Sequence, residues 1–299
     1  MENKIKFIKE SKLTKNIIFD FSYFCHRARF NSDVNQDGFK VNLWKHLIVK
    51  GLFTGIGTMG ADNVYLMCDK ESWRKKYFKY YKFKRKERRD KTDKEFLDFL
   101  NEINIFIEEL KEYFPYYIVE QNGCEADDLI GVFCEINNKE CINILLSADK
   151  DFGQLNKYPN YFQFNPIDGI LMSPDDYKYD LFKLCCKGDS SDGIPNIYMP
   201  DDTFFKGIRQ KPMRETLIKE WFEIVTKEGK PFTDDEDIIK NFKRNCTLIR
   251  FDYIPKKIKN DIIENLKNVK KIGTKHKMYQ YFVQKGMIML KDELETGKI

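Results

Sequence analysis

Apolar residues in the first half of the chain fall in short continuous runs, and three of these runs end on an aspartate. The clearest, Ile142 to Leu146, is bounded by polar residues and leads through Ser147 to Asp149 and Asp151 (NILLSADKD from Asn143). A short apolar run of this kind, interrupted only by Asn143, is what a strand buried on both faces of a parallel sheet needs. Asn16 to Phe19 leads in the same way into Asp20, and Asn63 to Cys68 into Asp69. Side chains two apart on extended backbone share a side, so Asp149 and Asp151 point one way if the extended form persists. The carboxyl edge of an open α/β sheet is where ligands bind. A single strand-end aspartate is explained equally well as a turn or cap residue. Three together are not, because gathered carboxylates repel and raise one another's pKa unless a cation neutralises them.

Longer periods predict the helices. Asn42 to Met59 places Leu43, Leu47, Ile48, Val49 and Leu52 at helical spacing, and Phe96 to Phe114 carries a stripe of Phe96, Leu100, Ile103, Ile107 and Leu110. After Pro115, Tyr116 to Glu120 reads as a strand, and Glu125-Ala-Asp-Asp128 opens a helix that ends near Ile136. Acids in a first turn suit the helix dipole, so capping explains them as readily as chemistry does. Tyr161 to Phe164 and Ile170 to Met172 flank an Asp168-Gly169 turn and predict a hairpin. A helix follows with Ser173 as N-cap and Pro174 at its first position, ending at Lys187-Gly188. Beyond Pro200 strand patterns stop. Helical patterns cover Met213 to Lys227, Asp234 to Ile249 with a Thr233/Glu236 capping box, Lys256 to Leu266, and Lys275 to Leu294. This order predicts an α/β domain over residues 1–187, with a mostly parallel sheet flanked by helices, and an all-helical domain over 188–299.

Composition narrows the chemistry. With 299 residues, 42% of them hydrophobic, the chain can bury a sizeable core. No apolar run is long enough to span a membrane and the N-terminus lacks a signal-peptide core, so a soluble, cytosolic protein without membrane contact is expected. Eight cysteines without a C-x-x-C pair read as reduced core residues, and three histidines give zinc little to bind. A metal here is expected to be hard and oxygen-bound, Mg²⁺ or Mn²⁺. The net charge of +5 conceals two basic stretches: Lys70 to Lys94 holds 13 Lys/Arg against 4 Asp/Glu, and Lys240 to Ile299 holds 15 against 6. The remainder is acidic, which suits a protein that meets a polyanion while holding cations elsewhere. The first basic run is interleaved with Trp73, Tyr77, Phe78, Tyr80, Tyr81 and Phe83. Rings for stacking among cations for phosphates indicate a nucleic-acid surface, where a run without rings would read as a solvated helix. Gly188-Asp-Ser-Ser-Asp192 sets Asp189 and Asp192 three apart, close enough to serve one site, although such a loop alone is most often only a turn. There is no Ser/Cys/His triad, P-loop or dinucleotide-binding loop.

Taken in order, these marks resemble the 5′-nuclease family of 5′-to-3′ exonucleases and flap endonucleases. The matching features are Asp20, Asp69, the Trp73-Arg74 to Tyr81-Lys82 to Arg85 block, Glu125-Ala-Asp-Asp128, Ser147-Ala-Asp-Lys-Asp151-Phe with Gln154-Leu155, and Gly188-Asp-x-x-Asp192. Phe251-Asp-Tyr-Ile-Pro255 and Lys277 to Val283 look closest to the ribonuclease H group of T-even bacteriophages. The resemblance implies a PIN-like nuclease core with a helical arch over about 70–94 and a helical DNA-binding C-terminal domain. It implies that Asp20, Asp69, Asp127 and Asp149 surround one Mg²⁺, with Glu125 and Asp128 nearby. Asp151, Asp189 and Asp192 would hold a second ion, partly through water, and Mn²⁺ can substitute. Arg74 and Lys82 would meet the scissile phosphate, with Asp149 and Asp151 in the catalytic set. Tyr81 would stack on a terminal base, and Trp73, Lys75, Lys76, Lys79 and Arg85 complete the nucleic-acid surface. Family members usually follow the Gly-Asp-x-x-Asp loop with a Gly-rich hairpin, often holding a monovalent cation. Ile194 to Thr203 lacks those paired glycines and carries two acids, which points duplex contact toward the basic helices between Lys256 and Lys277.

The expected function is therefore a metal-dependent 5′-to-3′ exonuclease and flap endonuclease that removes RNA primers and adjoining DNA in phage replication, in a bacterial cytoplasm. Expected partners are DNA with 5′ flaps or ends and RNA/DNA hybrid; a replication clamp and a single-strand-binding protein are candidates that no motif assigns, and a monomer is the default. Two rivals stand beside this reading. A toprim-like metal nuclease would not need Asp20, and a non-catalytic flap-binding module would keep the surface without turnover. Against a D-x-D-x-T phosphatase stands Gly153, which occupies the Thr position.

Overall fold

The computed structural model describes residues 2–32, 43–83 and 94–297. From the N-terminus come α1 (Glu2–Glu10), β1 (Thr14–Asp20), α2 (Phe21–Ser32), α3 (Leu43–Met59), β2 (Asn63–Cys68) and α4 (Arg74–Tyr77). Next are α5 (Lys94–Tyr113), β3 (Tyr117–Glu120), α6 (Ala126–Ile136), β4 (Cys141–Leu146), a 3₁₀ helix (Lys150–Lys157), β5 (Tyr161–Asn165) and β6 (Ile170–Met172). The remaining principal elements are α7 (Tyr177–Lys187), α8 (Glu215–Glu223) with a π turn after it, α9 (Glu236–Ile249), α10 (Lys256–Asn268), α11 (Lys275–Gln284) and α12 (Ile288–Glu295).

The strands form one sheet in the order β3-β2-β1-β4-β5-β6. Neighbours from β3 through β5 pair in parallel, and only β6 turns back against β5. β1 and β4 lie at the centre and are largely buried, which is why they read as apolar runs; Asn16 and Asn143 within them are buried too, and Asn16 Nδ2 donates to Asn143 Oδ1 (3.2 Å). Strand order reverses between them, so the carboxyl ends of β1, β2 and β4 lie side by side at the switch point of a doubly wound sheet.

Two compact units emerge. The first comprises Met1–Glu71, Leu97–Ser173 and Lys257–Ile299, and the second Ser72–Phe96 and Pro174–Lys256. This grouping differs from a sequential cut after residue 187. Packing explains the first unit's composition: Met278, Tyr281, Phe282, Met287 and Leu290 are buried in the same core as Ile17, Phe53 and Phe114. Tyr281 and Phe282 meet the Phe114 ring at 5.4 and 5.7 Å.

Several local expectations shift. The helices α1 and α2 and the 3₁₀ turn go beyond the predicted elements, and on α2 Phe21, Phe24, Cys25 and Ala28 share a buried face. α2 starts directly after Asp20, whose Oδ1 accepts the Tyr23 N–H (3.2 Å) as a cap would. α7 begins at Tyr177 with Asp176 as its cap, accepting from Lys178 and Tyr179, in place of Ser173-Pro174. α9 is capped by Asp235, while Thr233 Oγ1 accepts the Asp235 N–H, so the predicted Thr233/Glu236 box does not form. Where several cap-forming residues crowd together, a carboxylate that reaches two amides prevails. The single helix expected over Lys275 to Leu294 breaks at Lys285-Gly286 into α11 and α12. Residues 84–93 of the expected arch, Arg85 among them, lie outside the described residues.

One buried ion network ties α11 to the sheet-flanking helices. Glu109 on α5 accepts from Lys45 Nζ (2.8 Å), Tyr281 Oη (2.8 Å) and Lys285 Nζ (2.7 Å), and the Lys45 side chain is only 3% exposed. Burial opposes the Glu109 charge, but these hydrogen bonds hold its carboxyl below the usual range. Glu109→Ala leaves Lys45 with its longer contact to Glu102 (3.9 Å). The expected loss is about 2–4 kcal/mol, read as a lower urea midpoint with an unchanged m value. A midpoint equal to wild type would refute this role.

Candidate active site

Each strand at the switch point ends on its acid because the apolar run stops where the strand leaves the sheet. Phe19 pairs with Leu146 and Asp20 with Met67, so Asp20 is level with Ser147 and two residues short of Asp69 along β2. Adjacent strands lie about 4.8 Å apart, which brings these side chains within interaction range. Asp20 is buried, whereas Asp69 and Asp149 are exposed, so the acids form a well with Asp20 at its floor.

Hydrogen bonds fix each member. Ser147, fully buried, donates from Oγ to Asp20 Oδ2 (3.1 Å) and accepts the Asp149 N–H (3.1 Å), linking the acid of β1 to the loop after β4. Gln163 on β5 donates from Nε2 to the carbonyls of Ser147 (3.1 Å) and Asp149 (2.6 Å). Asp69 receives the Ala126 N–H at Oδ1 (2.7 Å), so the amino end of α6 points at the well, and its own N–H donates to Ser22 Oγ (3.3 Å). Lys70 continues this anchoring by pairing with Glu120 (2.6 Å), which Lys111 also holds (2.6 Å). Asp149 caps the 3₁₀ helix by accepting the Asp151 N–H (2.9 Å). Glu125 and Asp128 form a reciprocal capping box at the start of α6, both buried, while Asp127 between them is half-buried.

The electrostatics follow from this crowding. Burial, then the charge of Asp69 and more weakly that of Asp149, push the Asp20 carboxyl up to about 7, against the opposing Tyr23 and Ser147 hydrogen bonds. Behind the well, burial and neighbouring acids including Asp69 push the Cys25 and Cys68 thiols up as well. Among the described residues no three Asp, Glu, His or Cys side chains close on one point as a finished metal cage. Asp20, Asp69 and Asp149 are engaged with backbone amides, and Asp20 with the Ser147 hydroxyl as well. The donor set is carboxylate oxygen without imidazole or thiolate, which matches a hard divalent cation.

The remaining predicted residues belong to the second unit. Gly188 to Gly193 makes a tight loop closed by an Asp189–Ile194 bridge, with the Ser191 N–H on Asp189 Oδ1 (2.7 Å). Glycine is required at both ends: φ is +66° at Gly188 and +75° at Gly193, and a Cβ there would lie 2.4 Å from Ile194 O and 2.7 Å from Tyr80 O. Asp192 accepts from Tyr81 Oη (3.0 Å) and pairs with Lys82 Nζ (3.6 Å), and its carbonyl takes the Lys82 N–H (2.7 Å). Arg74 is buried, with Nε on the Leu248 carbonyl (2.7 Å) and its guanidinium over the Trp73 ring (4.7 Å). Lys75, Lys76 and Lys79 are exposed. Trp73 and Tyr81 are buried, and Tyr81 packs with Phe78, Cys185 and Ile194. Tyr81 therefore does not present its ring to a base as expected, whereas Tyr77 is 55% exposed. Sequence reasoning missed Ser147 and Gln163 as the hub of the well; a polar residue in the otherwise aromatic run Tyr161 to Phe164 was the available signal.

Comparison with known proteins adds independent findings. Residues 15–176 match the 5′-3′ exonuclease N-terminal resolvase-like domain, and residues 176–296 match the T4 RNase H C-terminal domain. The chain is 27% identical over 288 residues to ribonuclease H of Enterobacteria phage T4, spanning 93% of this chain and 94% of that protein. Among solved structures, T5 D15 protein co-crystallised with metal ions superposes with a TM-score of 0.60 at 17% identity, over 84% of this chain and 98% of that one. A variant of the bacteriophage T5 D15 flap endonuclease, in a pseudo-enzyme-product complex with DNA and metal ions, gives 0.57 at 16% identity, over 85% and 100%. At that identity these two likenesses establish the fold.

The well predicts a pH-dependent cost without metal. An unfolded Asp20 ionises near 3.8 and the folded one near 7, so the folded state loses stability as pH rises between those values, and the loss is complete above 7. In EDTA at pH 8, Asp20→Asn is expected to raise the unfolding free energy by about 2–4 kcal/mol, with the gain vanishing near pH 4. Urea titrations at both pH values check it; equal stability of the two proteins at pH 8 would exclude a strained Asp20.

Proposed function

The chain belongs to the 5′-3′ exonuclease family and is a phosphodiester-cleaving hydrolase, and from that membership we propose that it is a divalent-metal-dependent 5′-to-3′ exonuclease and flap endonuclease. Its substrates in this reading are 5′ flaps and ends and RNA/DNA hybrid, so that it removes RNA primers and the DNA beside them. The observation that carries the reading is the carboxylate well at the switch point, with buried Asp20 held between the charges of Asp69 and Asp149. The metal and nucleic-acid assignments draw on the phage relatives as well, whose own names include metal ions, DNA and ribonuclease H.

Divalent cations bound there would supply an activated water, neutralise phosphoryl oxygens and stabilise the leaving alkoxide. Asp20, Asp69 and Asp149 would hold the first ion with Asp127, and Mg²⁺ fits this all-oxygen set with Mn²⁺ as a substitute. Ser147 and the Ala126 N–H would keep Asp20 and Asp69 oriented, and the capping box would hold Glu125 and Asp128 beside them. Asp151 would serve a second ion. For Asp189 and Asp192 the support is the family resemblance and the rigid loop that carries them. Lys82 would add positive charge to the phosphoryl group in the transition state, and Arg74, enclosed between the Leu248 carbonyl and the Trp73 ring, would add its charge from beneath the surface rather than by contact. Exposed Lys75, Lys76 and Lys79 would contact phosphates, with Trp73 and Tyr81 supporting that surface from within. A toprim-like arrangement would leave Asp20 without a task, whereas here it is the floor of the well.

Single-turnover cleavage of a 5′-labelled flapped duplex, with Mg²⁺ or with EDTA, tests the reading. Wild type should yield product in Mg²⁺ alone, and Asp149→Asn should slow it at least about a hundredfold. Product length then separates end-nibbling from flap incision. Flap binding without cleavage in any divalent ion would replace the enzyme by a binding module. In a second test, neutralising Lys75, Lys76 and Lys79 together should weaken flap binding and flatten its log–log salt dependence by about 2 units. An unchanged slope would remove these lysines from the nucleic-acid surface.

A further inference from the structure

In the second unit, oxygens from two segments converge on one buried side chain. Arg244 of α9 donates through Nη2 to the carbonyls of Pro195 (2.9 Å) and Asn196 (3.4 Å). Through Nη1 it donates to the Met199 carbonyl (3.3 Å), Asp201 Oδ1 (2.7 Å) and Asn241 Oδ1 (3.1 Å). Its Nε donates to Asn245 Oδ1 (2.9 Å), and Asn245 Nδ2 returns to the Pro195 carbonyl (3.0 Å) and to that of Cys185 (2.8 Å). Main-chain carbonyls gathered with a carboxylate are the donor set that a hard cation takes. Here a guanidinium fills it, a cation that is covalently fixed to a helix and does not deprotonate in proteins.

The Ile194–Thr203 segment is shaped around this centre. Asn196 anchors its near end, with its N–H on Gln210 Oε1 (2.6 Å) and its Nδ2 on the Lys211 carbonyl (2.7 Å). Thr203 closes the far end on the Pro200 carbonyl (2.6 Å). Between these ties the carbonyls of Pro195, Asn196 and Met199 turn inward to Arg244, and the outer side borders a groove of mixed charge that carries Lys79, Lys240 and Lys243 beside Asp201, Asp202, Glu236 and Asp237. The family resemblance implies a hairpin with a bound monovalent cation in this position. The residues present do not fit one, because the carbonyls that would cage it are already occupied by Arg244. We propose that Arg244 is a built-in cation that shapes the Ile194–Thr203 loop, making the grip on duplex indifferent to the identity of the monovalent cation in solution. The duplex part rests on the proposed function; the shaping of the loop does not.

The test combines amide hydrogen exchange of the full chain with binding of a flapped duplex, in KCl, NaCl and tetramethylammonium chloride at equal ionic strength. For wild type, exchange across 194–203 and Kd should agree across the three salts within about twofold. Arg244→Met should speed exchange in that loop and raise Kd about tenfold, with K⁺ restoring part of both and tetramethylammonium none. Arg244→Lys, which keeps a charge at the centre, should retain most of the wild-type protection. A wild-type loop or Kd that responds to K⁺ specifically overturns the proposal, as does a folded Arg244→Met with wild-type exchange. Should Arg244→Met not fold, the wild-type salt series and Arg244→Lys decide. Failure of the nuclease reading would appear separately, as absent duplex binding in every salt, and would leave the exchange result standing.

Discussion

Repulsion between carboxylates at one sheet edge is the constraint that the first unit is arranged to withstand. Asp20 sits at the floor of the well, where burial and two neighbouring acids all disfavour its charge. The surroundings answer with oriented dipoles: a backbone amide and a serine hydroxyl on Asp20, and the amino end of α6 on Asp69. These partners are neutral, so they orient the acids without cancelling their charge. A site built in this way keeps its electrostatic cost, because oriented neutral dipoles lower that cost without removing the repulsion between the acids.

The elements that such a site needs were the ones most legible in the amino-acid sequence. A strand buried on both faces can be read from a few consecutive residues, and the acid that follows marks where it leaves the sheet. This made Asp20, Asp69 and Asp149 visible before any fold was known. The order β3-β2-β1-β4-β5-β6 was less visible, because alternating strand and helix patterns leave open which strand lies beside which. What was hidden is instructive. α2 buries Phe21, Phe24, Cys25 and Ala28 on one face, a stripe short enough to pass unseen directly after the strand before it. Arg244 lies on a helix whose polar residues read as a solvated face, yet it is almost wholly enclosed.

The aromatic-rich basic run shows the limit of composition. Its charge correctly indicates a cationic surface, and Lys75, Lys76 and Lys79 are exposed. Its rings divide: Trp73, Phe78 and Tyr81 enter the core, and Tyr77 stays outside. Which ring turns inward depends on the single helical turn of α4 and the bends after it, and those are set by contacts with Leu248, Asp192 and Gly193 that are far away in sequence. Composition describes a run as a whole, whereas burial is decided residue by residue.

The discontinuity of the first unit has a consequence for how the protein comes into being. Its sheet is complete once β6 has been made, but its core also requires Met278, Tyr281, Phe282 and Leu290, and its ion network requires Lys285. During vectorial synthesis the strands that carry the acids therefore leave the ribosome well before the helices that seal them. The core of the first unit thus stays incomplete until its distal helices have been made, long after the sheet itself.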